Sequence, residues 1–205
     1  MTVRGRFITF EGIDGAGKST QIAVVANALR ARALPIVITR EPGGTAVGEA
    51  LREVILHQPM GIGTETLLMF AARAEHLERV IRPALDAGTW VLCDRFTDAT
   101  YAYQSGGRGM SAERIGELEQ WVHPDLQPDL TLLFDVPPDV AAQRLARARS
   151  ADRFETEQVD FFARVRNAYL ERARAEPQRF IVIDGTQPAE VIGARLGELM
   201  QRWNG

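Results

Sequence analysis

The segment that most constrains the fold of this chain is Gly12-Ile13-Asp14-Gly15-Ala16-Gly17-Lys18-Ser19, which matches the pattern G-x-x-x-x-G-K-[ST]. It directly follows a short apolar run, Arg6 to Phe10, and directly precedes a helical pattern that begins at Lys18. Glycines let the backbone approach a phosphate closely, and the N–H groups at the helix N-terminus point at the anion. We therefore predict a phosphate-binding loop between a strand and a helix, with a chance glycine loop as the alternative.

The end of the motif predicts a nucleotide ligand. Lys18 reaches the outer phosphates, the Ser19 hydroxyl is suited to Mg²⁺, and Thr20 opens the helix behind them. Lys18 is also the only lysine beside 23 arginines. Guanine-specific GTPases read their base through an N-K-x-D element, which needs a second lysine, so an adenine nucleotide is the better prediction.

Short apolar runs alternate with longer helical patterns, which is typical of an α/β fold with a parallel sheet. The predicted strands are Arg6 to Phe10, Pro35 to Thr39, Trp90 to Cys93, Leu130 to Asp135 and Phe180 to Ile183. The predicted helices are Lys18 to Arg32, Thr45 to His57, Glu65 to Asp86, Ala99 to Gln104, Ser111 to Val122, Asp139 to Arg149, Gln158 to Ala175 and Ala189 to Trp203. Without repeats or a long linker, residues 1–205 are expected to form one domain.

Composition argues against several classes of protein. One cysteine, Cys93, excludes a disulfide framework, and with three histidines it makes a Cys/His zinc site improbable. A net charge of −3 disfavours a nucleic-acid partner. The apolar run Phe7 to Phe10 is too short for a signal peptide, and no run is long enough to span a membrane, so we expect a cytoplasmic protein without a membrane partner.

Asp94 follows the third predicted strand and is a second candidate for the metal. A carboxylate at the carboxyl edge of the sheet, beside the phosphate-binding loop, can hold Mg²⁺ directly or through water. A helix cap after the strand is the alternative.

Further segments extend the pattern over nearly the whole chain. They are Phe10 to Gln21, Thr39-Arg40-Glu41-Pro42-Gly43-Gly44-Thr45, Leu67-Leu68-Met69-Phe70-Ala71-Ala72-Arg73, Asp94-Arg95-Phe96, Ala102-Tyr103-Gln104 with Gly106-Gly107-Arg108-Gly109, Arg147 to Glu155, and Phe161 to Leu170. Together these segments resemble the bacterial type of thymidylate kinase.

The resemblance implies a three-layer P-loop kinase fold, with a five-stranded parallel sheet of order 2-3-1-4-5 between helices and a lid at about residues 144–157. It implies phosphorylation of dTMP to dTDP by ATP with Mg²⁺, in dTTP synthesis for DNA replication, by a homodimer. The phosphate-binding loop itself predicts ATP contacts from Gly12, Ile13, Asp14, Gly15, Ala16, Gly17, Lys18, Ser19 and Thr20, and the predicted metal ligands are Ser19 and Asp94.

The phosphate group of the acceptor nucleotide is a dianion that needs cationic partners, and an arginine guanidinium can bind it by two parallel hydrogen bonds. Arg40 and Arg95 each follow the carboxyl end of a predicted strand. The resemblance implies that both contact the phosphate of dTMP and that Arg95 stays in place during transfer. Ordinary surface arginines are the alternative for both.

The resemblance also assigns the nucleoside contacts. Phe70 and Arg73 lie three residues apart on a predicted helix and so share a face. The Phe70 ring would stack on thymine, and the Arg73 guanidinium would hydrogen-bond its O4. Without the resemblance, Phe70 would be read as core packing. Tyr103 and Gln104 would contact the sugar and base, with Tyr103 disfavouring a ribose 2′-hydroxyl, and Asp14 would engage the 3′-hydroxyl.

Phosphoryl transfer depends on positioning and charge neutralisation. Some thymidylate kinases carry an arginine where this chain has Gly15, so the charge is expected from a lid. The arginines are Arg144, Arg147, Arg149 and Arg153; a solvated helix face is the alternative for Arg144. The predicted catalytic set is Lys18, Asp14, Arg95, Arg147, Arg149 and Arg153. Asp184-Gly185-Thr186 resembles an adenine-side loop, which turn chemistry could equally explain.

Two other functions stay open at this point. One is a small-molecule kinase of the same fold with a different acceptor, for which Phe70, Arg73 and Tyr103 are the discriminating residues. The other is a switch that hydrolyses ATP slowly to control a partner. The segment Arg40 to Gly44 argues against a switch, because a switch needs no second phosphate site.

Overall fold

A computed structural model describes residues 4–146 and 159–203. Within them, five strands form one sheet: β1 (Phe7–Glu11), β2 (Ile36–Arg40), β3 (Trp90–Asp94), β4 (Leu130–Asp135) and β5 (Phe180–Asp184). Every pairing is parallel, and the strand order is β2-β3-β1-β4-β5. Each strand lies within one residue of its predicted bounds, and the predicted strand order is confirmed.

The helices of the described part are α1 (Lys18–Ala31), α2 (Ala46–His57), α3 (Ile62–His76), α4 (Arg82–Asp86), α5 (Thr97–Thr100), α6 (Ala112–Val122), α7 (Pro138–Leu145), α8 (Val159–Ala175) and α9 (Ala189–Arg202). Two π-helical segments adjoin them, Leu77–Ile81 between α3 and α4, and Tyr101–Gly107 after α5. Among these described helices, none combines the length and the apolar character that crossing a membrane requires.

The three central strands of the sheet, β1, β3 and β4, are buried on both faces, whereas the edge strands β2 and β5 are partly exposed. All five residues of the central strand β1 are buried, as expected for parallel strands with helices on each side. Phe7 belongs to an apolar cluster with Ile81, whereas Ile8 belongs to a separate cluster with Val25 and Leu29 of α1. Because successive side chains of a strand point to opposite faces, this alternation defines two helical layers around one sheet.

The π-helical segments are the main departure from the predicted helices. The expected helix from Glu65 to Asp86 starts earlier, at Ile62, and is interrupted where the N–H of Arg82 bonds the carbonyl of Leu77, five residues back. Pro83 follows and has no N–H to donate. The expected helix from Ala99 to Gln104 begins at Thr97 and continues as the second π segment. Such segments are frequent at functional sites.

The carboxyl ends of β1, β2 and β3 meet at one edge of the sheet. Phe10 lies opposite Asp94, and Asp94 lies opposite Arg40, so the residues that follow these strands converge beside the loop after β1. Parallel α/β sheets bind their ligands at this edge.

Candidate active site

The loop between β1 and α1 has the backbone conformation that its glycines permit. Gly15 and Gly17 have φ values of 81° and 90°, in the left-handed region that side chains disfavour. A Cβ at Gly15 would lie 2.5 Å from the carbonyl oxygen of Ala141. The loop ends at the first turn of α1, whose N–H groups have no acceptor within the helix. This backbone conformation is the one that the predicted anion-binding loop requires.

Lys18 is held inside this loop. Its side chain is 6% exposed, and Nζ donates to the carbonyl oxygens of Gly12 and Ile13 at 3.2 and 3.4 Å. Burial, and secondly the charge of Arg95, lower the pKa of Lys18. A phosphate anion would supply the negative charge that favours the ammonium form.

The two candidate metal ligands, Ser19 and Asp94, come from α1 and β3. Ser19 is exposed in the first turn of α1, and Asp94 ends β3. Asp94 Oδ1 is buried, lies 4.0 Å from Lys18 Nζ, and has no hydrogen-bond partner in the part of the chain that the structure describes. This oxygen is suited to a cation.

A cavity opens beside the loop, between the ends of β2 and β3, α2, α3 and the second π segment. Five of the predicted site residues lie on its wall: Asp14, Arg73, Arg95, Tyr103 and Gln104. Sequence reasoning missed other polar and apolar wall residues, among them Glu41, Arg52 and Met69.

Asp14, Arg95 and Tyr103 join the loop to the cavity. Arg95 Nη2 donates to Asp14 Oδ1 at 2.8 Å and lies 2.9 Å from the Tyr103 hydroxyl, which donates to Asp14 Oδ2 at 3.0 Å. Burial would raise the pKa of Asp14, but the charges of Arg95 and Lys18 and the Tyr103 hydrogen bond hold it at about 2. The cluster thus keeps an ionised carboxylate and a guanidinium at the junction of the two sites.

The backbone of Arg95 is anchored by a buried acid that sequence reasoning missed. Arg95 has a φ of 72°, which is uncommon for a residue with a side chain. Glu11, fully buried at the end of β1, accepts from the N–H of Phe96 at 2.7 Å and from the Tyr169 hydroxyl at 2.8 Å. Burial and the nearby charge of Asp98 outweigh Arg95 and raise the pKa of Glu11 to about 8.

Arg73 is held with one donor left over. The side chain is 2% exposed; Nε donates to Glu41 Oε2 at 2.7 Å and Nη2 to Thr100 Oγ1 at 2.9 Å. Burial would raise the pKa of Glu41, but the charges and hydrogen bonds of Arg73 and His76 together outweigh burial and lower the pKa. Arg73 Nη1 is buried and has no hydrogen-bond partner among the described residues, so it can donate to a ligand.

The structure does not bring Phe70 to the cavity. Its ring is 2% exposed, lies 4.7 Å from the guanidinium carbon of Arg73, and otherwise faces a surface groove beside Leu67 and Trp121. Met69, four residues before Arg73, lies on the cavity wall instead. Spacings of three and four both place a residue on the face of Arg73, and the packing of α3 turns Met69 inward.

Arg40 also lies off the cavity wall. Its side chain is 53% exposed, and Nη2 lies 2.7 Å from Glu49 Oε2. Glu49 Oε1 accepts from the N–H of Gly44, so the carboxylate ties Arg40 to the loop after β2. Arg52, which does line the cavity, donates to the carbonyl oxygen of Pro42 at 2.9 Å.

The predicted lid falls mostly outside the described residues, and Arg147, Arg149 and Arg153 all lie there. Arg144, at the end of α7, is described, and its Nη1 donates to the carbonyl oxygen of Gly185 at 2.9 Å. This contact closes one side of a second cavity, which runs from Gly17 and Thr20 to Thr186.

Known proteins share this architecture. A family model described as thymidylate kinase matches residues 10–195. A thymidylate kinase of Methylobacillus flagellatus is 57% identical over 201 residues, covering 98% of this chain and 99% of the relative. One of Bordetella pertussis is 63% identical over 196 residues, covering 96% of this chain and 94% of the relative.

Solved structures agree. The crystal structure of thymidylate kinase from Ehrlichia chaffeensis is similar with a TM-score of 0.78 and 33% identity, covering 97% of this chain and 99% of that one. The match covers nearly the whole chain, and it agrees with the parallel strand order and with the loop after β1. The chain therefore belongs to the thymidylate kinase family, and it is a transferase with a P-loop kinase fold.

Proposed function

We propose that the chain transfers the γ-phosphoryl group of ATP to dTMP, forming ADP and dTDP, and so supplies the precursor of dTTP for DNA replication. The observation that carries this is the hydrogen-bonded cluster of Asp14, Arg95 and Tyr103. Asp14 belongs to the phosphate-binding loop and Arg95 to the cavity wall, and Arg95 Nη2 lies 2.8 Å from Asp14 Oδ1. Donor and acceptor phosphates bound on the two sides would therefore meet, which is the main requirement of phosphoryl transfer.

On the donor side, residues 12–20 would bind the ATP phosphates through their N–H groups, with Lys18 at the outer phosphates. The second cavity, lined by Thr20, Arg144, Gly185 and Thr186, continues from the loop and would take the adenosine.

Mg²⁺ would accompany ATP, held by the Ser19 hydroxyl and the buried Oδ1 of Asp94. No group of three His, Cys, Asp or Glu side chains is placed to hold a metal within residues 4–146 and 159–203. That suits Mg²⁺, which keeps several waters and shares phosphate oxygens instead of filling its shell with protein ligands. Bound there, the ion would neutralise charge on the transferring phosphates.

On the acceptor side, Arg95 and Arg52 are the guanidinium groups of the wall that would hold the dTMP phosphate. Arg40 would join them by exchanging Glu49 for the phosphate, which its exposed position permits. Arg73 Nη1 would donate to the base carbonyl O4, Met69 would cover the base, and Tyr103 and Asp14 would contact the sugar.

Charge that builds during transfer would be met by the lid arginines, Arg147, Arg149 and Arg153, together with Arg95. Lid closure would also exclude water, which would otherwise accept the phosphoryl group. We also propose that residues 1–205 form a single domain and that the lid is a segment of this domain.

An acceptor panel tests the function. Coupled ADP release is measured with ATP and dTMP, dUMP, dCMP, dGMP or thymidine, beside Lys18→Ala as an inactive control. We expect dTMP to have the highest kcat/KM and thymidine none. A better acceptor than dTMP would show a kinase of different specificity, and calorimetry that finds an ATP site without a saturable dTMP site would support a switch.

We also propose a homodimer formed through the α3–α6 groove, which is lined by Leu67, Phe70, Ala71, Leu118 and Trp121. Trp121 is 80% and Leu67 57% exposed, and exposed apolar surface of this kind marks an interface. Sedimentation velocity should give a dimer for the parent and a monomer for Trp121→Glu. Val191→Glu, at an exposed apolar site on α9, is the matched control and should stay dimeric. A monomeric parent at micromolar concentration contradicts the proposal.

We place the enzyme in the cytoplasm. Its only cysteine, Cys93, is a buried thiol, and burial raises its pKa, so it is neither reactive nor in need of an oxidising compartment. Fractionation of producing cells tests this, and recovery of the protein from the periplasm would contradict it.

A further inference from the structure

Glu65 is a fully buried acid on α3 to which neither the sequence motifs nor the proposed mechanism gives a role. One of its oxygens, Oε1, accepts a hydrogen bond from Gln104 Nε2 at 2.9 Å. The same oxygen lies 3.3 Å from Nε of Arg108. Burying a carboxylate away from water costs free energy unless hydrogen-bond donors or cations compensate its charge, and Gln104 and Arg108 are placed to do so.

The pair of contacts fixes which way the Gln104 amide points. Arginine carries donors and no acceptor, so the Glu65 oxygen that faces Arg108 has to act as an acceptor. The atom of Gln104 that faces this oxygen must then be the NH₂ group. A turned amide would place its oxygen 2.9 Å from a carboxylate oxygen, and two buried acceptors at that distance repel.

Gln104 also lines the acceptor cavity, as does Arg73. Because one N–H of the Gln104 amide is held by Glu65, the orientation of the amide is fixed, and its oxygen is the acceptor that Gln104 offers to a ligand. Arg73, on the same wall, has one donor atom, Nη1, without a hydrogen-bond partner among the described residues. Thymine and uracil present a carbonyl at C4 beside an N3–H, which match this donor and acceptor, whereas cytosine presents an amino group beside a bare N3, which oppose both.

We propose that Glu65 is a positioning residue for base specificity: through Gln104 Nε2 it presents the Gln104 oxygen to the base, and so favours pyrimidines with an N3–H over cytosine. This inference rests on the proposed function, since it assumes that the cavity receives the base of dTMP. Glu65 itself acts through Gln104, not by touching substrate.

The test compares kcat/KM for dTMP and dCMP in the parent, Glu65→Gln and Thr66→Val. A glutamine at position 65 carries no charge, so it holds the Gln104 NH₂ group less tightly than the carboxylate does, and the preference for dTMP over dCMP should fall by about tenfold. Thr66 is the buried neighbour of Glu65, and its hydroxyl bonds the carbonyl of Ile62. Thr66→Val therefore controls for general damage to α3 and should leave the ratio unchanged.

A purely structural role for Glu65 would lower both rates together, and an unchanged ratio in folded Glu65→Gln overturns the proposal. If that variant does not fold, Arg108→Gln decides. It removes the cation that offsets the buried negative charge of Glu65, and it should lower the ratio by about threefold; an unchanged ratio again overturns the proposal. Failure of the parent to prefer dTMP would refute the proposed function itself, so the two failures are distinguishable.

Discussion

Asp98 is the centre of a buried ion cluster that joins three parts of the fold. Arg179 Nη1 and Nη2 donate to Asp98 Oδ2 and Oδ1 at 2.7 and 2.9 Å, and Arg172 Nε donates to Oδ1 at 2.9 Å. Asp98 is 1% and Arg179 7% exposed. Glu176 binds both arginines as well, so the four charges balance. The cluster ties α8, which carries Tyr169 to the site, to α5 and the segment before β5.

Asp98→Asn removes one of the two negative charges and leaves a buried guanidinium in excess. Breaking a buried pair from one side costs about 3–5 kcal/mol, and the lower end, about 3 kcal/mol, applies because Glu176 keeps its contacts. For 205 residues the entropy of unfolding is about 0.4 kcal/mol per kelvin, so the midpoint of thermal unfolding should fall by about 7 °C.

Differential scanning calorimetry measures this, with Asp125→Asn as the matched control. Asp125 binds Arg82 with the same two-pronged geometry, at 2.7 and 2.8 Å, but at the protein surface. Water screens that pair, so its loss should leave the midpoint unchanged. Equal shifts in the two variants, or none in Asp98→Asn, would refute the claim that burial makes the difference.

Three further changes have defined outcomes. Lys18→Arg should lower kcat by more than about 100-fold, because two loop carbonyls hold Nζ as a compact point charge that a planar guanidinium does not reproduce; near-parent turnover would contradict this. Glu11→Gln should gain stability over the parent as the pH rises from about 5 to about 8. Over that range Glu11 loses its proton in the unfolded chain but keeps it in the folded protein, where its pKa is raised, so the parent loses stability as the pH rises. A difference in urea unfolding midpoint between variant and parent that stays constant across this pH range would contradict the prediction. Arg149→Ala and Arg153→Ala should each lower kcat far more than they weaken dTMP binding, and parent-like kinetics in both would remove the lid from the mechanism.

Much of the fold could be predicted because its signals are local. The strands are short apolar runs, and all five match their predicted bounds within one residue, although the edge strands β2 and β5 are partly exposed. The phosphate-binding loop is likewise contiguous: Gly15, Gly17 and Lys18 define its backbone and its cation without help from distant segments. The π-helical segments were not predicted, because helical periodicity alone does not distinguish a five-residue from a four-residue hydrogen-bond spacing.

Which side chains line the cavity could not be predicted from local sequence patterns. Both Met69 and Phe70 share a helix face with Arg73, and the pattern alone cannot tell which one faces a ligand. The packing of α3 against the rest of the fold turns Met69 to the cavity and Phe70 to the groove near Trp121. Arg40 follows a strand as predicted, yet its contact with Glu49 depends on how α2 is placed.

By itself, the sequence determined the order of strands and helices, the phosphate-binding loop and the family, because these follow from residues close together in the chain. Only the tertiary structure decided the surroundings of the buried acids. Glu11 meets Phe96, 85 residues away, and Glu65 meets Gln104, 39 residues away. A buried carboxylate is stabilised by whichever donors the packed elements bring to it, and no local pattern records that choice.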